Sequence, residues 1–124
     1  MFRGIVDVAQ DGNKYRHLRI VISHISDDDR ALVIPISTVH KEMTRYDRTC
    51  ILKRGEHSFL TEEESYAYYA KAQALTQKDL DELDSLGLLI KYEDASSELI
   101  DKLQKGAKQS PHLENVFKKY FDEF

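Results

Sequence analysis

The chain has 124 residues, of which 41% are hydrophobic and 32% charged, and its formal net charge is −4. This length fits one domain with a single hydrophobic core. No apolar run approaches the roughly 18 residues that a transmembrane helix needs, and the N-terminus lacks the apolar stretch of a secretory signal. A lone cysteine, Cys50, excludes an internal disulfide. We therefore expect a cytoplasmic protein of one domain, residues 1–124.

Charge is divided unevenly along the chain. Residues 1–60 carry ten Lys and Arg against eight Asp and Glu, whereas residues 61–124 carry eight against fourteen, so the two parts have net charges of +2 and −6. A guanidinium matches phosphate oxygens with a planar fork of donors, although arginines on strands more often only line a solvated face. All the arginines fall in the basic part: Arg3, Arg16, Arg19, Arg30, Arg45, Arg48 and Arg54.

Four short β-strands are predicted in the first half of the chain. They are rich in β-branched residues, are separated by polar turns such as that at residues 11–13, and cover residues 4–8, 18–23, 31–36 and 49–52. Pro35 cannot donate a ladder hydrogen bond, so the third strand is expected to end, to bulge or to lie at an edge there. Short strands with tight turns predict a small barrel or a strongly curled sheet.

Residues 62–75 carry mixed signals, because alanine and glutamate favour helix whereas Tyr66, Tyr68 and Tyr69 favour strand. We predict a turn at residues 61–65, followed by an extended segment at residues 70–75. The tyrosines are suited to stacking on unpaired bases, but tyrosines clustered in this way more often lie half-buried at the edge of a core.

Three helices are predicted in the last third. The first begins at Thr76, an N-cap with the pattern of a capping box, and stops at Gly87. The second runs from Ser96 to Gly106, and the third follows Ser110. The side chains expected to face the core from these helices are Leu80, Leu83, Leu86, Leu99, Ile100, Leu103, Leu113, Val116, Phe117, Tyr120 and Phe121.

Four segments resemble, in order along the chain, the motifs of the PemK/MazF toxin family. They read R-G-I-V at residues 3–6, R-I-V-I-S at 19–23, V-I-P-I-S-T at 33–38 and Q-A-L-T at 73–76. Family members show R-G-x-(I/V), R-P-V-L-V-(I/V)-S, V-(V/I)-P-(L/I)-T-S and Q-(I/T)-R-T in the same order. The resemblance therefore extends over most of the chain and depends on the shared order of these segments.

The resemblance implies an α+β protein, mainly β in its N-terminal part, with a small SH3-like β-barrel in residues 1–75 and a helical C-terminal part in residues 76–124 packed on it. It also implies a toxin that is a metal-independent endoribonuclease, cleaves single-stranded RNA, is neutralised by an antitoxin protein and forms a homodimer. No cofactor is expected. No zinc is expected either, because the five histidines and one cysteine show no ligand spacing for it.

Candidate catalytic residues follow from the matching positions. With the serines aligned at Ser23, the family's arginine falls at His17, and Arg16 and Arg19 flank that position; Ser37 replaces the family's threonine. Cleavage of RNA by its own 2′-hydroxyl needs a base, a cation and an acid. An arginine suits the cation, His17 suits the acid or base, and the Ser37 hydroxyl suits a phosphate oxygen.

Thr38, Arg3 and Gln73 of these segments are expected to bind the RNA, together with His57 of the turn at residues 55–59, which is also a second candidate proton donor. Two departures from the family leave other interpretations open: Leu18 stands where the family has proline, and Ala74 and Leu75 follow the glutamine without an arginine. A non-catalytic barrel that binds protein or nucleic acid is the first alternative. An unrelated small α+β domain is the second.

Overall fold

The structure is a computed structural model that describes residues 3–8, 16–23, 29–57, 60, 62–86 and 89–118. Within these residues the strands are β1 (Arg3–Val8), β2 (Arg16–Val21), β3 (Arg30–Thr38), β4 (Ile51–Lys53), β5 (Glu64–Ala67), β6 (Gln73–Thr76) and β7 (Leu89–Asp94). The helices are α1 (Gln77–Ser85), α2 (Ser97–Gln109) and α3 (Asn115–Lys118), and a 3₁₀ turn at Tyr69–Lys71 links β5 to β6.

These strands pair antiparallel in one sheet in the order β4-β5-β3-β2-β1-β7, and β6 adds a further pairing to β3. Because β3 is long, it takes two partners on one edge: its first half pairs with β6 and its second half with β5. The predicted α+β class with a mainly β first part is confirmed. The described pairings leave the sheet open between β4 and β7, and a closed SH3-like barrel is not shown.

Pro35 lies inside β3, which neither ends nor lies at the sheet edge there. The proline falls where the partner of β3 changes from β6, whose pairing stops at Val33, to β5, whose pairing starts at Ile36. The Tyr68 N–H donates to the Pro35 carbonyl at 2.9 Å, and the N–H and C=O of a residue in an antiparallel strand point to the same side. The N–H that proline lacks therefore falls at this junction and not in the ladder between β2 and β3.

Alternate positions of the sheet face two apolar clusters. The main core lies between the sheet and α2, and it includes Ile20, Leu32, Ile34, Leu52, Leu99 and Leu103. A smaller cluster lies on the opposite face under α1, and it includes Val21, Ala31 and Val33, with Leu75, Leu80 and Leu83 packed against it. Helix α1 covers one end of this second face, and the candidate site lies on the rest of the face.

The predicted starts of the first two helices are confirmed. The Asp79 N–H donates to Thr76 Oγ1 at 3.0 Å, and the Thr76 N–H donates to Asp79 Oδ2 at 3.0 Å, which completes a capping box for α1. In α2 the Leu99 N–H donates to Ser96 Oγ at 3.2 Å. These bonds satisfy N–H groups that have no acceptor within the first turn of a helix.

Four predictions for the last third are wrong. The part predicted as helical, residues 76–124, contains β7, which pairs with β1 at the start of the chain. Helix α2 continues through Gly106 to Gln109, and Ser110 is its C-cap and not the start of the next helix. Leu86 is 66% exposed, although it was expected to face the core.

The predicted turn at residues 61–65 is wrong in its last part, because β5 begins at Glu64, and the segment 62–75 also contains the start of β6. The predicted extended stretch at 70–75 is therefore correct only from Gln73 onward, because the 3₁₀ turn occupies its first part. Outside the described residues lie the predicted turn at residues 11–13, the helix stop at Gly87 and the predicted core residues Tyr120 and Phe121, as does the side chain of Val116.

Candidate functional site

Arg19, Pro35 and Tyr68 form a row across the sheet, on the face that α1 partly covers. Arg19 of β2 is in register with Pro35 of β3, and the Tyr68 N–H donates to the Pro35 carbonyl from the other side of β3. Arg19 comes two residues before Val21, which belongs to the cluster under α1, and side chains two apart on a strand share a face. We call this part of the sheet the site face.

The Arg19 guanidinium reaches across β3 to Gln73 on β6. Its Nη1 donates to Gln73 Oε1 at 2.6 Å, although the two residues are 54 positions apart in the sequence. Arg19 is half-buried, and Gln73 is in register with Val33, two residues before Pro35 on β3. This bond holds one end of the planar donor fork of the guanidinium on the site face.

Ser37 lies on the same face, two residues beyond Pro35 in β3. It is in register with Tyr66 of β5, and the two hydroxyl groups are hydrogen-bonded to each other. Burial raises the pKa of the Tyr66 hydroxyl more than the bond to Ser37 lowers it, so the phenol stays protonated at neutral pH. The structure therefore brings three predicted site residues, Arg19, Ser37 and Gln73, to one face.

A cleft of about 480 Å³ adjoins the site face at Tyr66, the cross-strand partner of Ser37. Its walls include Tyr46, Tyr66 and Tyr68, and we call it the tyrosine cleft. The ring centroids lie 5.2 Å apart between Tyr46 and Tyr66 and 5.5 Å apart between Tyr66 and Tyr68. The guanidinium carbon of Arg48, also in the wall, lies 4.3 Å from the Tyr46 centroid, which is within cation–π distance.

Asp47 fastens the loop between β3 and β4 to the end of α2. The Ser110 hydroxyl donates to Asp47 Oδ2 at 2.7 Å, and the Thr49 N–H donates to Asp47 Oδ1 at 2.9 Å. Ser110 is fully buried, and the His112 N–H donates to its Oγ at 3.1 Å. Burial alone would raise the pKa of Asp47, but the hydrogen bonds from Thr49 and Ser110, with the nearby His112, outweigh it and lower that pKa.

Replacing Asp47 by asparagine is expected to lower the free energy of unfolding at pH 7 by about 1 kcal/mol, because a neutral amide accepts these bonds less well than a carboxylate. Since the folded-state pKa lies below the unfolded value, the carboxylate stabilises the fold above about pH 4 and loses this contribution as the pH falls through the folded-state pKa. Urea unfolding of both proteins at pH 7 and in acid measures the effect.

The difference between wild type and Asp47→Asn should shrink in acid, because the wild-type carboxyl is then protonated in both states. Asp101→Asn, on the exposed side of α2, is the matched control and should change stability by less than about 0.5 kcal/mol. A difference between Asp47→Asn and wild type that stays the same from pH 7 to acid would contradict this interpretation.

Two further candidates lie at the start of β2. Arg16 and His17 are in register with the end of β1, and His17 comes two residues before Arg19 on the same strand. The Arg19 guanidinium is placed on the site face by its bond to Gln73, whereas the side chains of Arg16 and His17 lie outside what the structure describes. Thr38 follows Ser37 directly, so it belongs to the alternate positions of β3, which face the main core.

His57 and the backbone of Arg3 both lie near Asp94, the last residue of β7. The His57 ring Nε2 lies 3.0 Å from the carbonyl oxygen of Asp94, at the end of β7. The Arg3 backbone is in register with the same Asp94, on a strand that is two places from β3. The structure therefore does not bring His57 or the Arg3 backbone to the site face, and Thr38 likewise lies apart from it.

The three clustered tyrosines divide between the cleft and the core. Tyr69 is 1% exposed, and its hydroxyl donates to the Leu103 carbonyl of α2 at 2.8 Å. Tyr66 is buried but has one side in the cleft wall, and Tyr68 is half-buried there. The expected half-buried position therefore holds for Tyr68 alone, since Tyr69 is enclosed in the core and Tyr66 is buried in the wall of the cleft.

The cleft residues that sequence reasoning missed include Tyr46, Arg48 and His112. They come from the loop before β4 and the turn after α2, and no strand or helix pattern marks either segment. The one local signal is the run R-Y-D-R at residues 45–48, which sets two guanidinium groups beside an aromatic ring.

Neither a cluster of metal ligands nor a reactive thiol is found among the described residues. Among them, no group of three or more His, Cys, Asp or Glu side chains is placed to hold a metal ion. Cys50 is buried, and burial raises the pKa of its thiol, which keeps it in the less reactive protonated form. None of the helices in this part of the chain has both the length and the apolar character needed to cross a membrane.

Comparisons of the chain with protein-family models, with curated proteins and with solved structures gave no match. The functional assignment therefore depends on the residues and on their geometry.

Proposed function

We propose that this protein is the toxin of a toxin–antitoxin pair and that it cleaves single-stranded RNA without a metal ion. The observation that carries the proposal is the site face, where Arg19, Ser37 and Gln73, from three of the motif segments, come together across β2, β3 and β6. A half-buried guanidinium fixed by an amide, next to an oriented hydroxyl, suits the oxygens of a phosphodiester.

In the proposed reaction the 2′-hydroxyl of the RNA attacks the adjacent phosphorus, and the bond from phosphorus to the 5′-oxygen breaks. The products are a 2′,3′-cyclic phosphate and a 5′-hydroxyl. Negative charge grows on the non-bridging oxygens during attack, and Arg19 stabilises it there. The Ser37 hydroxyl, held by Tyr66, orients one of these oxygens.

Proton transfer completes the reaction, because one proton leaves the 2′-hydroxyl and one reaches the 5′-oxygen. We assign these transfers to His17, two residues before Arg19 on β2, since an imidazole can both accept and donate a proton. The negative charge that grows on the phosphate in the transition state is met by the Arg19 guanidinium in this assignment, so the proposed reaction does not require a metal ion.

An SH3-like barrel is part of the same proposal. Support comes from the contact of 3.0 Å between His57 Nε2 and the Asp94 carbonyl oxygen. His57 lies in the turn after β4 and Asp94 ends β7, and these two strands stand at opposite ends of the strand order. A sheet whose terminal strands approach each other is strongly curled, as a small barrel requires.

The partner in this proposal is an antitoxin protein that covers the site face, and the free toxin is a homodimer. Co-expression with the product of the neighbouring gene tests the pairing. The expected result is a complex that no longer cleaves RNA. A neighbouring product that neither binds the protein nor blocks cleavage would contradict the toxin–antitoxin part of the proposal while leaving the enzymatic part standing.

Incubation of the purified protein with single-stranded RNA in the presence of EDTA tests the enzymatic part. We expect cleavage in EDTA, and slower cleavage of the same sequence in a duplex, because base pairing keeps the 2′-hydroxyl away from alignment with the leaving oxygen. RNA that remains intact with a folded protein would contradict the proposal.

A second candidate is a non-catalytic barrel that binds protein or nucleic acid. The observation that favours it lies in β6, where Ala74 and Leu75 follow Gln73, and Leu75 packs against the cluster under α1. β6 therefore supplies an amide to the site face but no second guanidinium. RNA that is bound but not cleaved in EDTA would select this candidate.

A further inference from the structure

We infer that the tyrosine cleft binds one unpaired nucleobase of an RNA strand, with the phosphate next to that base held by Arg48. This inference rests on the proposed function, because it identifies how the single strand is held beside the site face. It adds a binding site formed by Tyr46, Tyr68 and Arg48, which lie outside the motif segments.

The aromatic wall of the cleft is suited to a flat, apolar ligand. Tyr66 occupies the centre, and its ring plane is tilted by 40° to that of Tyr46 and by 42° to that of Tyr68. Tyr66 is buried, whereas Tyr46 and Tyr68 are half-buried and keep part of their rings exposed. A base can cover such exposed ring surface by stacking, and stacking on tyrosine tolerates every base because each has a π-face.

Size and charge agree with a nucleotide. The cleft volume of about 480 Å³ lies within the range of roughly 300–1,000 Å³ that is usual for small-ligand pockets. Arg45 and Arg48 are exposed at its edge, where a guanidinium can meet a phosphate with two donors. The carboxylate between them, that of Asp47, is engaged by Thr49 and Ser110.

The cleft is continuous with the site face through its own tyrosines. The Tyr66 ring forms part of the cleft wall, while its hydroxyl is bonded to Ser37. The Tyr68 N–H donates to the Pro35 carbonyl, which puts Tyr68 in the same row as Arg19. A strand whose phosphate lies at Arg19 and Ser37 therefore has a neighbouring base beside Tyr68.

Binding of a fluorescein-labelled, single-stranded 2′-O-methyl RNA, measured by anisotropy, tests the inference. This probe lacks the attacking hydroxyl, so binding is measured without cleavage. Tyr68→Ala should weaken binding by roughly 5- to 100-fold, the loss expected for one stacked base, whereas Tyr68→Phe keeps the ring and should bind within about twofold of wild type. Thermal melting checks that each variant is folded.

A pair of arginine variants tests the phosphate contact. Arg48→Gln should weaken binding and lower the slope of log K against log salt by about 0.7, the value for one phosphate contact on a single strand. Arg54→Gln is the matched control, because Arg54 is an exposed arginine on the turn after β4, outside the cleft wall. Its salt slope should stay at the wild-type value.

An abasic scan of the same probe identifies the stacked base. At one position, removing the base should weaken binding to wild type, and the same change should cost nothing further in Tyr68→Ala, because the stacking partner is already gone. Wild-type affinity in both Tyr68→Ala and Arg48→Gln would overturn the inference, and RNA cleavage by wild type would leave the proposed function standing.

The opposite pattern of results also distinguishes the cleft inference from the enzymatic proposal. If the cleft variants lose affinity but wild type does not cleave unmodified RNA, the cleft inference is supported and the enzymatic proposal fails. A wild-type protein that does not bind the probe at all would overturn the inference directly.

Discussion

Replacing Arg19 by glutamine is expected to slow RNA cleavage by about 10²–10³-fold, the usual loss when one group that stabilises charge in a transition state is removed. Glutamine keeps a polar amide at this position but brings no positive charge to the phosphate. Single-turnover cleavage in EDTA measures the change. Arg19→Lys keeps the charge without the planar fork, so its rate should fall between the two.

Arg54→Gln is the control for this variant, because it removes one guanidinium from an exposed turn of the same chain. Its cleavage rate should stay close to that of wild type. A folded Arg19→Gln protein that cleaves RNA at the wild-type rate would show that Arg19 does not stabilise the reacting phosphate.

Gly106→Ala is expected to destabilise the fold by about 1–3 kcal/mol, the usual cost of adding a methyl group to a closely packed core. Within an exposed helix the same change would stabilise by up to about 1 kcal/mol. At Gly106 a Cβ atom would collide with the Tyr69 hydroxyl and lie 2.9 Å from Cys50 Cβ. Tyr69 is held by its bond to Leu103 and is 1% exposed, so it cannot move aside easily. Urea unfolding measures the change.

A double-mutant cycle with Tyr69→Phe tests the stated cause. Tyr69→Phe removes the atom nearest to the added methyl group, so Gly106→Ala should cost less in that background than in wild type. The remaining cost reflects the approach to Cys50 Cβ. A Gly106→Ala protein that is more stable than wild type would contradict the close packing of α2 against the 3₁₀ turn.

Elements with nearby determinants could be predicted from the sequence. The starts of α1 and α2 follow from hydrogen bonds made within one turn, at Thr76 and Ser96. β7 could not be predicted in this way, because its partner is β1 at the other end of the sequence. The end of α2 was placed too early because Gly106 was interpreted as a helix stop. The structure instead uses that glycine to admit the Tyr69 hydroxyl.

The candidate site was predictable only in part, because local sequence patterns do not show which distant segments pack together. Motif order identified Arg19, Ser37 and Gln73 one by one, and strand alternation together with the pairing of β6 to β3 places them on one face. The tyrosine cleft was not predicted, because Tyr46 and His112 come from segments that are far apart in the sequence and meet only through the packing of α2.

The central claim is that the site face cleaves RNA by directing its own 2′-hydroxyl at the adjacent phosphate. The most direct measurement compares, in EDTA, two oligonucleotides of one sequence that differ only by a 2′-deoxy sugar at the mapped cleavage position. We predict 2′,3′-cyclic phosphate and 5′-hydroxyl ends from the all-RNA strand, and no cleavage at the deoxy position. Equal cleavage of both strands, or cleavage only after a metal ion is added, would contradict the claim.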